Sequence, residues 1–188
     1  MGQSGAMTMA AELLRALSAA EAVSGIRSGD RVFIGGIACP PESLVEAIAA
    51  RAHELGDVWI WHLPLLGKVP FIAPEFSRSF RVTTSFIGPD LREPVAEGRA
   101  DFVPAFLSET PKLFGARYPI DWAVVQLSPP DRQGFCSAGV SVDNSDRSDP
   151  AGRRRFDRLA SIFRHWRTGG FYSRRRTKPR RTPNHCHP

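Results

Sequence analysis

The sequence predicts an α/β fold in which a mainly parallel sheet is flanked by helices and followed by a basic, mostly disordered tail. Short apolar segments alternate with amphipathic ones between residues 10 and 127, which is the pattern of a parallel sheet covered on both faces. Two glycine- and proline-rich loops follow apolar strands. The acidic and basic residues are also divided sharply along the chain, and this division marks where the domain ends.

Five strands and four helices are predicted before residue 128. The second helix shows the reasoning: Pro40 and Pro41 open it, and Leu44, Val45 and Ile48 then recur on one face, as a helix packed on a core requires. The predicted strands are 32–34, 58–63, 81–85, 101–104 and 121–127, and the predicted helices are 10–23, 40–53, 91–98 and 108–114.

The charge changes sign near Ser145. Residues 1–145 hold 12 Lys+Arg against 16 Asp+Glu, whereas residues 146–188 hold 13 against 3. With few aliphatic residues, this tail is expected to be mostly disordered. Within it, Asp157 to Trp166 has apolar spacings of three and four that indicate a short helix. We therefore predict a domain over residues 8–145 and an arginine-rich tail over 146–188.

Several classes of protein are disfavoured by the composition. The apolar stretches are shorter than the roughly 18 residues of a membrane span, and the N-terminus lacks signal-peptide features; we expect a cytoplasmic protein. Three well-separated cysteines (Cys39, Cys136 and Cys186) indicate neither a disulfide framework nor a zinc site. His53 and His62 have no nucleophile or metal-ligand partner at useful spacing, so packing and surface roles are favoured.

The two loops are the candidate functional segments, because ligands of such sheets meet the carboxyl ends of strands. In the first, Gly35 to Pro41, the glycines let backbone approach a ligand and a helix N-terminus follows. A tight strand-to-helix turn without a ligand is the alternative. The second, Ser128 to Asp143, is rich in Pro, Gly and small hydroxyl residues, which by itself favours a rigid structural turn over a ligand site.

Taken together, four segments resemble the acetyl-CoA hydrolase/transferase family, which includes acetate and 4-hydroxybutyrate CoA-transferases of the class I CoA-transferase group. They are Ser28 to Gly36, Ser85 to Gly88 with Arg92, Glu97 to Pro104, and Asp121 to Asp143. The last is the most specific, and the likeness covers about residues 8–145.

The resemblance implies that residues 8–145 form most of the first of two similar α/β halves. In this family a glutamate of the second half attacks the acyl-CoA carbonyl, so no catalytic residue is assigned to this chain, and we expect it to be inactive alone. The implied substrates are an acyl-CoA and a short carboxylic acid, with no cofactor, no metal and no membrane, and a homodimer is compatible with the full-length enzyme. The candidate substrate and CoA-pocket residues are Gly35, Gly36, Pro40, Pro130, Asp131, Gly134, Ser137 and Gly139.

Two other functions are kept as alternatives. The basic tail could bind nucleic acid or another polyanion non-specifically, through charge. The chain could also be an inactive remnant whose last strand exposes an unpaired edge and apolar surface. Because the family likeness, apolar periodicity and charge balance are lost together after Ser145, we hypothesise that the tail arose from a shifted reading frame.

Overall fold

A seven-stranded sheet is the central element of the structure. The computed structural model describes residues 17–35, 37–110, 113–114, 117–127, 156–163 and 170–175. The spatial order of the strands is β4-β3-β2-β1-β5-β6-β7. They are β1 (Arg31–Ile34), β2 (Val58–His62), β3 (Phe80–Thr84), β4 (Ala100–Phe102), β5 (Ile120–Leu127), β6 (Phe156–Phe163) and β7 (Gly170–Arg175).

The first six strands are parallel, and β7 runs antiparallel to β6. The chain builds outward from β1 to β4 and then crosses back, placing β5 on the other side of β1. Ile34 of β1 is the register partner of His62 on one side and of Val124 on the other. The order of strands therefore reverses between β1 and β5, and the predicted parallel sheet is confirmed.

Helices cover one face of the sheet. They are α1 (Ala19–Val23), α2 (Glu42–Ala50) and α3 (Arg92–Ala96). Val32, Ile34 and Ile60 of the strands form one core cluster with Leu44 and Ile48 of α2, and all five are fully buried or nearly so. The predicted spacing of α2 thus corresponds to its buried face.

The opposite face is packed by aromatic rings. The ring of Phe114 lies 5.3 Å from those of both Phe33 and Trp61, and Tyr118 lies 5.0 Å from Trp61. Aromatic pairs at these distances and tilted angles add to the energy of burial. The segment before β5 therefore closes the second face over β1 and β2.

The helix ends are fixed by specific contacts. Ser18 and Glu21 form a reciprocal capping box at the start of α1, which satisfies two backbone donors that a helix N-terminus leaves free. Just after α2, the Arg51 guanidinium donates to the carbonyls of Val23 and Ile26, at 2.6 and 3.0 Å. The end of α2 is thereby tied to the end of α1.

Most of the predicted elements agree with the structure within a few residues. Of the predicted helix 10–23, residues 10–16 lie outside the described ranges, and the helix seen in the structure is α1, which begins only at Ala19. In place of the predicted helix 91–98 the structure has a 3₁₀ turn, Pro89–Leu91, followed by α3. Gly98, which was expected to end the helix, has a φ of +73°. Thr110, Leu113 and Phe114, within predicted helix 108–114, are helical. Two 3₁₀ turns between β2 and β3, Pro70–Ile72 and Pro74–Phe76, were not predicted.

One segment of the tail departs from the prediction. The short helix expected over Asp157 to Trp166 is wrong, because β6 occupies Phe156–Phe163 and pairs along β5. The edge of β5 expected to be unpaired is accordingly covered by β6 in this structure. Apart from β6 and β7, the tail residues lie outside the described ranges. Within the part of the chain that the structure describes, no helix is long and apolar enough to cross a membrane.

Candidate functional site at the carboxyl edge of the sheet

The loop after β1 is anchored where the order of strands reverses. The backbone N–H of Gly35, which is buried, donates to the carbonyl of Val124 in β5 at 2.9 Å. Seven residues later α2 begins, and the N–H of its first residue, Glu42, donates to the Pro40 carbonyl at 2.9 Å. The predicted strand, turn and helix are therefore present, and the turn starts at the carboxyl edge, meaning the edge where β1 to β5 end.

The loop after β2 is packed against the loop after β1. The Leu66 N–H donates to the Ile37 carbonyl at 3.0 Å. Gly67 has a φ of +151°, and a Cβ built there would lie 3.4 Å from Glu42 Oε1 and 3.9 Å from Pro40. A side chain at Gly67 would thus be strained in its backbone and crowded by the first turn of α2.

The loop after β3 continues the same surface. Thr84 stabilises the start of this loop. The Thr84 hydroxyl donates to the Phe86 carbonyl at 2.9 Å and accepts from the Phe86 N–H at 3.2 Å. A Cβ on Gly88 would lie 3.5 Å from Pro64 of the neighbouring loop. Three successive loops therefore meet at the carboxyl edge.

This edge carries the exposed apolar side chains of the described residues. The larger ones are 38–76% exposed, and each follows the carboxyl end of a strand or closes it. They are Ile37 after β1, Leu66 after β2, Phe86 and Ile87 after β3, and Phe102, Phe106 and Leu107 at and after β4. Exposed apolar residues gathered on one side of a domain mark a surface that binds a ligand or another protein.

His62, the last residue of β2, lies fully buried beneath these loops. Its Nδ1 is 2.6 Å from the Leu63 carbonyl oxygen. Since a carbonyl oxygen only accepts, Nδ1 carries the proton and Nε2 is left as an acceptor. Burial lowers the pKa of His62 below its ordinary value of 6.5, and the hydrogen bond to Leu63 offsets part of this effect. The imidazole is therefore a neutral group that fixes the start of the β2 loop.

Among the described residues, four buried polar side-chain atoms make no hydrogen bond. They are Trp61 Nε1, His62 Nε2, Thr83 Oγ1 and Ser85 Oγ. Trp61 and Thr83 are register partners, so they lie side by side on one face of β2 and β3. Trp61 and His62 are the last two residues of β2, Thr83 is near the end of β3, and Ser85 follows β3. The unpaired neutral donors and acceptors are therefore concentrated just before the carboxyl edge.

The structure places only some of the predicted pocket residues. Gly35 and Pro40 lie in the loop after β1 as expected, at the carboxyl edge. Gly36, Pro130, Asp131, Gly134, Ser137 and Gly139 lie outside the described residues, so their roles stay predictions. The loop that contains the last five follows β5, the strand next to β1. The two predicted loops therefore leave the sheet from neighbouring strands.

Sequence reasoning missed the contributions of β2 and β3. His62 was interpreted as a packing residue, and its burial agrees with that. The sequence signals for a site at these strands are a histidine that ends the apolar β2 and the polar run Thr83, Thr84 and Ser85 at the end of β3. Polar residues at the carboxyl end of a buried parallel strand are a recognisable sign of a site.

The described glutamates are not in the kind of environment that activates a nucleophilic carboxylate. Each described glutamate is exposed, the eight being Glu21, Glu42, Glu46, Glu54, Glu75, Glu93, Glu97 and Glu109. A nucleophilic carboxylate needs a shielded, activating environment, which none of these has. The described residues also contain no group of three or more His, Cys, Asp or Glu side chains arranged to hold a metal ion. Cys39, the free thiol in the β1 loop, is half-buried.

Comparison with known proteins identifies the class to which this fold and edge belong. Residues 1–148 match the acetyl-CoA hydrolase/transferase N-terminal domain. The chain is therefore a member of the acetyl-CoA hydrolase/transferase family, and the resemblance seen in the sequence is confirmed.

Its relatives include CoA transferases. The chain is 39% identical over 121 residues to the succinyl-CoA:acetate/propanoyl-CoA:succinate CoA transferase of Fasciola hepatica, covering 63% of this chain and 25% of that protein. It is 37% identical over 128 residues to the 4-hydroxybutyrate coenzyme A transferase of Clostridium kluyveri, covering 68% and 30%. The chain thus spans between a quarter and a third of the length of these relatives.

Solved structures share the fold. RipA from Yersinia pestis superposes with a TM-score of 0.64 at 25% identity, over 73% of this chain and 35% of that one. The 4-hydroxybutyrate CoA-transferase of Porphyromonas gingivalis gives 0.59 at 25%, over 82% and 34%. In both, the likeness covers about a third of the larger protein.

Proposed function

We propose that this chain is the N-terminal part of an acyl-CoA transferase or hydrolase that moves CoA between an acyl-CoA and a short carboxylic acid. In this proposal the chain supplies one wall of the CoA-thioester pocket and not the nucleophile. The cytoplasm is the proposed location, and no cofactor is required beyond the thioester substrate.

The meeting of three loops at the carboxyl edge is the observation that carries the proposal. The loops after β1, β2 and β3 are joined through the Leu66 to Ile37 hydrogen bond and the approach of Gly88 to Pro64. Open α/β sheets bind ligands at this edge, beside the point where the order of strands reverses. Here that point lies between β1 and β5, next to Gly35.

The chemistry of the edge suits a CoA thioester. Ile37, Leu66, Phe86 and Ile87 offer apolar surface, which an acyl chain or the pantetheine arm can cover. Backbone groups of glycine-containing loops can approach a ligand closely. This fit supports binding of the substrate by contact and shape.

Among the described residues no glutamate carboxylate is shielded from solvent, and this supports inactivity of these 188 residues alone. Covalent catalysis by glutamate is what the family resemblance implies, and all eight described glutamates face solvent. Their ordinary hydration would leave a carboxylate a weak nucleophile. We therefore expect binding without turnover.

The test combines an activity assay with mapping of the binding site. The purified full chain is incubated with acetyl-CoA and butyrate, and formation of butyryl-CoA is followed by chromatography. In parallel, acetyl-CoA is titrated into labelled protein and backbone amide shifts are recorded. We expect no butyryl-CoA, and shifts at Ile37, Leu66 and Phe86. The turn at Arg27 to Asp30, at the opposite edge, is the internal control and should not shift.

The two readouts fail separately. Butyryl-CoA formation above the protein-free rate would disprove the inactivity of the chain while leaving the site intact. Shifts confined to the opposite edge, or spread equally over both edges, would disprove the site. Unchanged amide spectra at high acetyl-CoA concentration would disprove binding of the thioester by this chain.

A further inference from the structure

We infer that a small cavity on the face of the sheet opposite α2 is a binding site for a small carboxylate anion. We call this face the aromatic face. The residues that line the cavity and carry the argument are Arg31, Trp59, Trp61, Thr83 and Tyr118. None of them belongs to the loops of the carboxyl edge. The inference therefore goes beyond the proposed function and does not depend on it.

The alternation of side chains along β2 and β3 places two polar groups in this cavity. Ile60 of β2 and Val82 of β3 pack in the core cluster that contains α2. The next residues along, Trp61 and Thr83, point to the aromatic face, because successive side chains of a strand lie on opposite faces. The ring of Tyr118 lies 5.0 Å from that of Trp61. An indole and a hydroxyl group therefore lie side by side next to Tyr118.

The buried part of the cavity contains hydrogen-bonding groups without partners. Trp61 and Thr83 are 3% and 1% exposed, and neither Trp61 Nε1 nor Thr83 Oγ1 makes a hydrogen bond. An indole N–H can only donate, and a hydroxyl group can donate as well. Buried donors are costly to leave unpaired. The cavity volume of about 10 Å³ is close to the least that holds one water-sized group, so the ligand atom that enters must be a small acceptor.

Arg31 supplies a positive charge beside these donors. Its guanidinium carbon lies 5.8 Å from the centre of the Trp59 ring, within the range of a cation–π contact. The Asp121 carboxylate accepts from the backbone N–H of Arg31 at 2.9 Å, and among the described residues no carboxylate forms an ion pair with the Arg31 side chain. Arg31 and Trp59 are both half-buried, so a ligand can reach the cavity from solvent.

A second arginine of the aromatic face shows which ligand would suit Arg31. Arg81 donates through Nε and Nη2 to the two carboxylate oxygens of Asp101, at 2.7 and 2.6 Å. Paired N–H···O bonds of this kind are typical of arginine with a carboxylate. A small carboxylate from solution would give Arg31 the same type of partner and would also accept from Trp61 and Thr83. The site therefore combines a fixed positive charge with neutral donors, which favours a monovalent anion over a neutral or cationic ligand.

The experiment uses the isotope-labelled full chain and the indole N–H resonances of its tryptophans. Sodium formate replaces sodium sulfate at constant ionic strength, so that a shift reports selection of the small monovalent anion over a larger divalent one. The Trp61 resonance is identified with Trp61→Phe. The Trp122 indole, whose Nε1 donates to Asp30 at 3.0 Å, is the internal control.

We expect a saturable shift of the Trp61 indole and none of the Trp122 indole. Arg31→Gln should weaken formate binding by about 10-fold or more, because a charge-assisted contact is lost. Arg27→Gln removes an equal charge from an exposed arginine and should change the affinity by less than about twofold. Thr83→Val keeps the shape of the side chain and should weaken binding without lowering the urea midpoint.

Three results would overturn the inference. One is a Trp61 resonance that does not change when formate replaces sulfate, since the cavity would then bind no carboxylate. Another is an equal shift of the Trp61 and Trp122 resonances, which would be a general effect of the salt. The last is the same formate affinity in Arg31→Gln as in the wild type. If a variant does not fold, the wild-type comparison of Trp61 with Trp122 still decides.

Discussion

The buried imidazole of His62 makes the stability of the fold depend on pH in a specific window. Desolvation by burial lowers its folded pKa below 6.5, and the hydrogen bond to the Leu63 carbonyl opposes this more weakly. The unfolded chain therefore binds a proton at His62 at a higher pH than the folded chain does. It follows that the contribution of His62 to stability is fully present above about pH 6.5 and decreases as the pH falls below that value.

The size of the effect follows from linkage. Below the unfolded pKa, each unit of pH costs up to about 1.4 kcal/mol as long as the folded imidazole stays neutral. Acidification from about pH 7.5 to about pH 5.5 should then lower the free energy of unfolding through this residue alone, by at most about 1.4 kcal/mol. Most carboxylates titrate at lower pH, so this window isolates histidine.

The assay is urea unfolding of the full chain across that window, for the wild type and for His62→Asn. Asparagine keeps a donor near the position of Nδ1 and cannot titrate. Other histidines contribute equally to both proteins, so the difference between the two pH slopes belongs to His62. Equal slopes, or a wild type that gains stability relative to the variant on acidification, would refute the buried neutral imidazole.

Two further substitutions, Gly25→Ala and Arg51→Met, test contacts that hold the covering helices on the sheet, and Gly56→Ala is the control for the first. Gly25→Ala should destabilise the chain by about 1–3 kcal/mol in urea unfolding, because its new Cβ would lie 2.9 Å from the buried Trp122 ring. A Cβ at Gly56 would lie 4.0 Å from its nearest neighbour, Ser28 Oγ, so Gly56→Ala should change the free energy of unfolding by less than about 1 kcal/mol. A larger loss of stability for Gly56→Ala than for Gly25→Ala would contradict the clash with Trp122 as the cause. Arg51→Met should cost about 1–3 kcal/mol, since both hydrogen bonds to the end of α1 are lost; an unchanged urea midpoint would show that these bonds are not needed.

The local elements could be predicted because their signals are local. In α2, the proline start and the spacing of Leu44, Val45 and Ile48 lie within nine residues, and the same residues are buried. The glycine that ends α3 acts through its own φ angle. Such features need no knowledge of what packs against them, and the sequence contains them in full.

The site was harder to predict because it is assembled from distant segments. The Leu66 to Ile37 hydrogen bond joins backbone groups of two loops, and backbone groups leave no trace in residue type. The order of strands, which puts β5 beside β1, also depends on a crossover between distant parts of the chain. Gly35 and Pro40 can be predicted to lie in a strand-to-helix loop because glycine and proline are typical of such loops. The position of the loop after β2 at the same edge depends instead on which strands lie beside β2.

The tail shows how non-local pairing overrides a local pattern. Leu159, Ile162 and Phe163 have a spacing that suits a short helix, but so short a helix is marginal without a partner. Seven of the eight residues of β5 have register partners in β6, so the segment gains more backbone pairing as a strand than a short isolated helix would provide. The same spacing is equally compatible with a strand when the apolar run is short, so the neighbour decides the structure.

The separation of binding from chemistry can be argued from where the carboxylates lie. Evolution of a covalent site requires a carboxylate withdrawn from water, and withdrawal is costly unless a surrounding fold pairs it. The carboxyl edge described here instead gathers neutral groups, His62, Thr83 and Ser85, beneath apolar loops. Such neutral groups cost less to bury than a charged carboxylate does. Under the proposed function, the described residues contact the substrate and the nucleophile comes from outside them, so the described fold needs no buried, unpaired carboxylate.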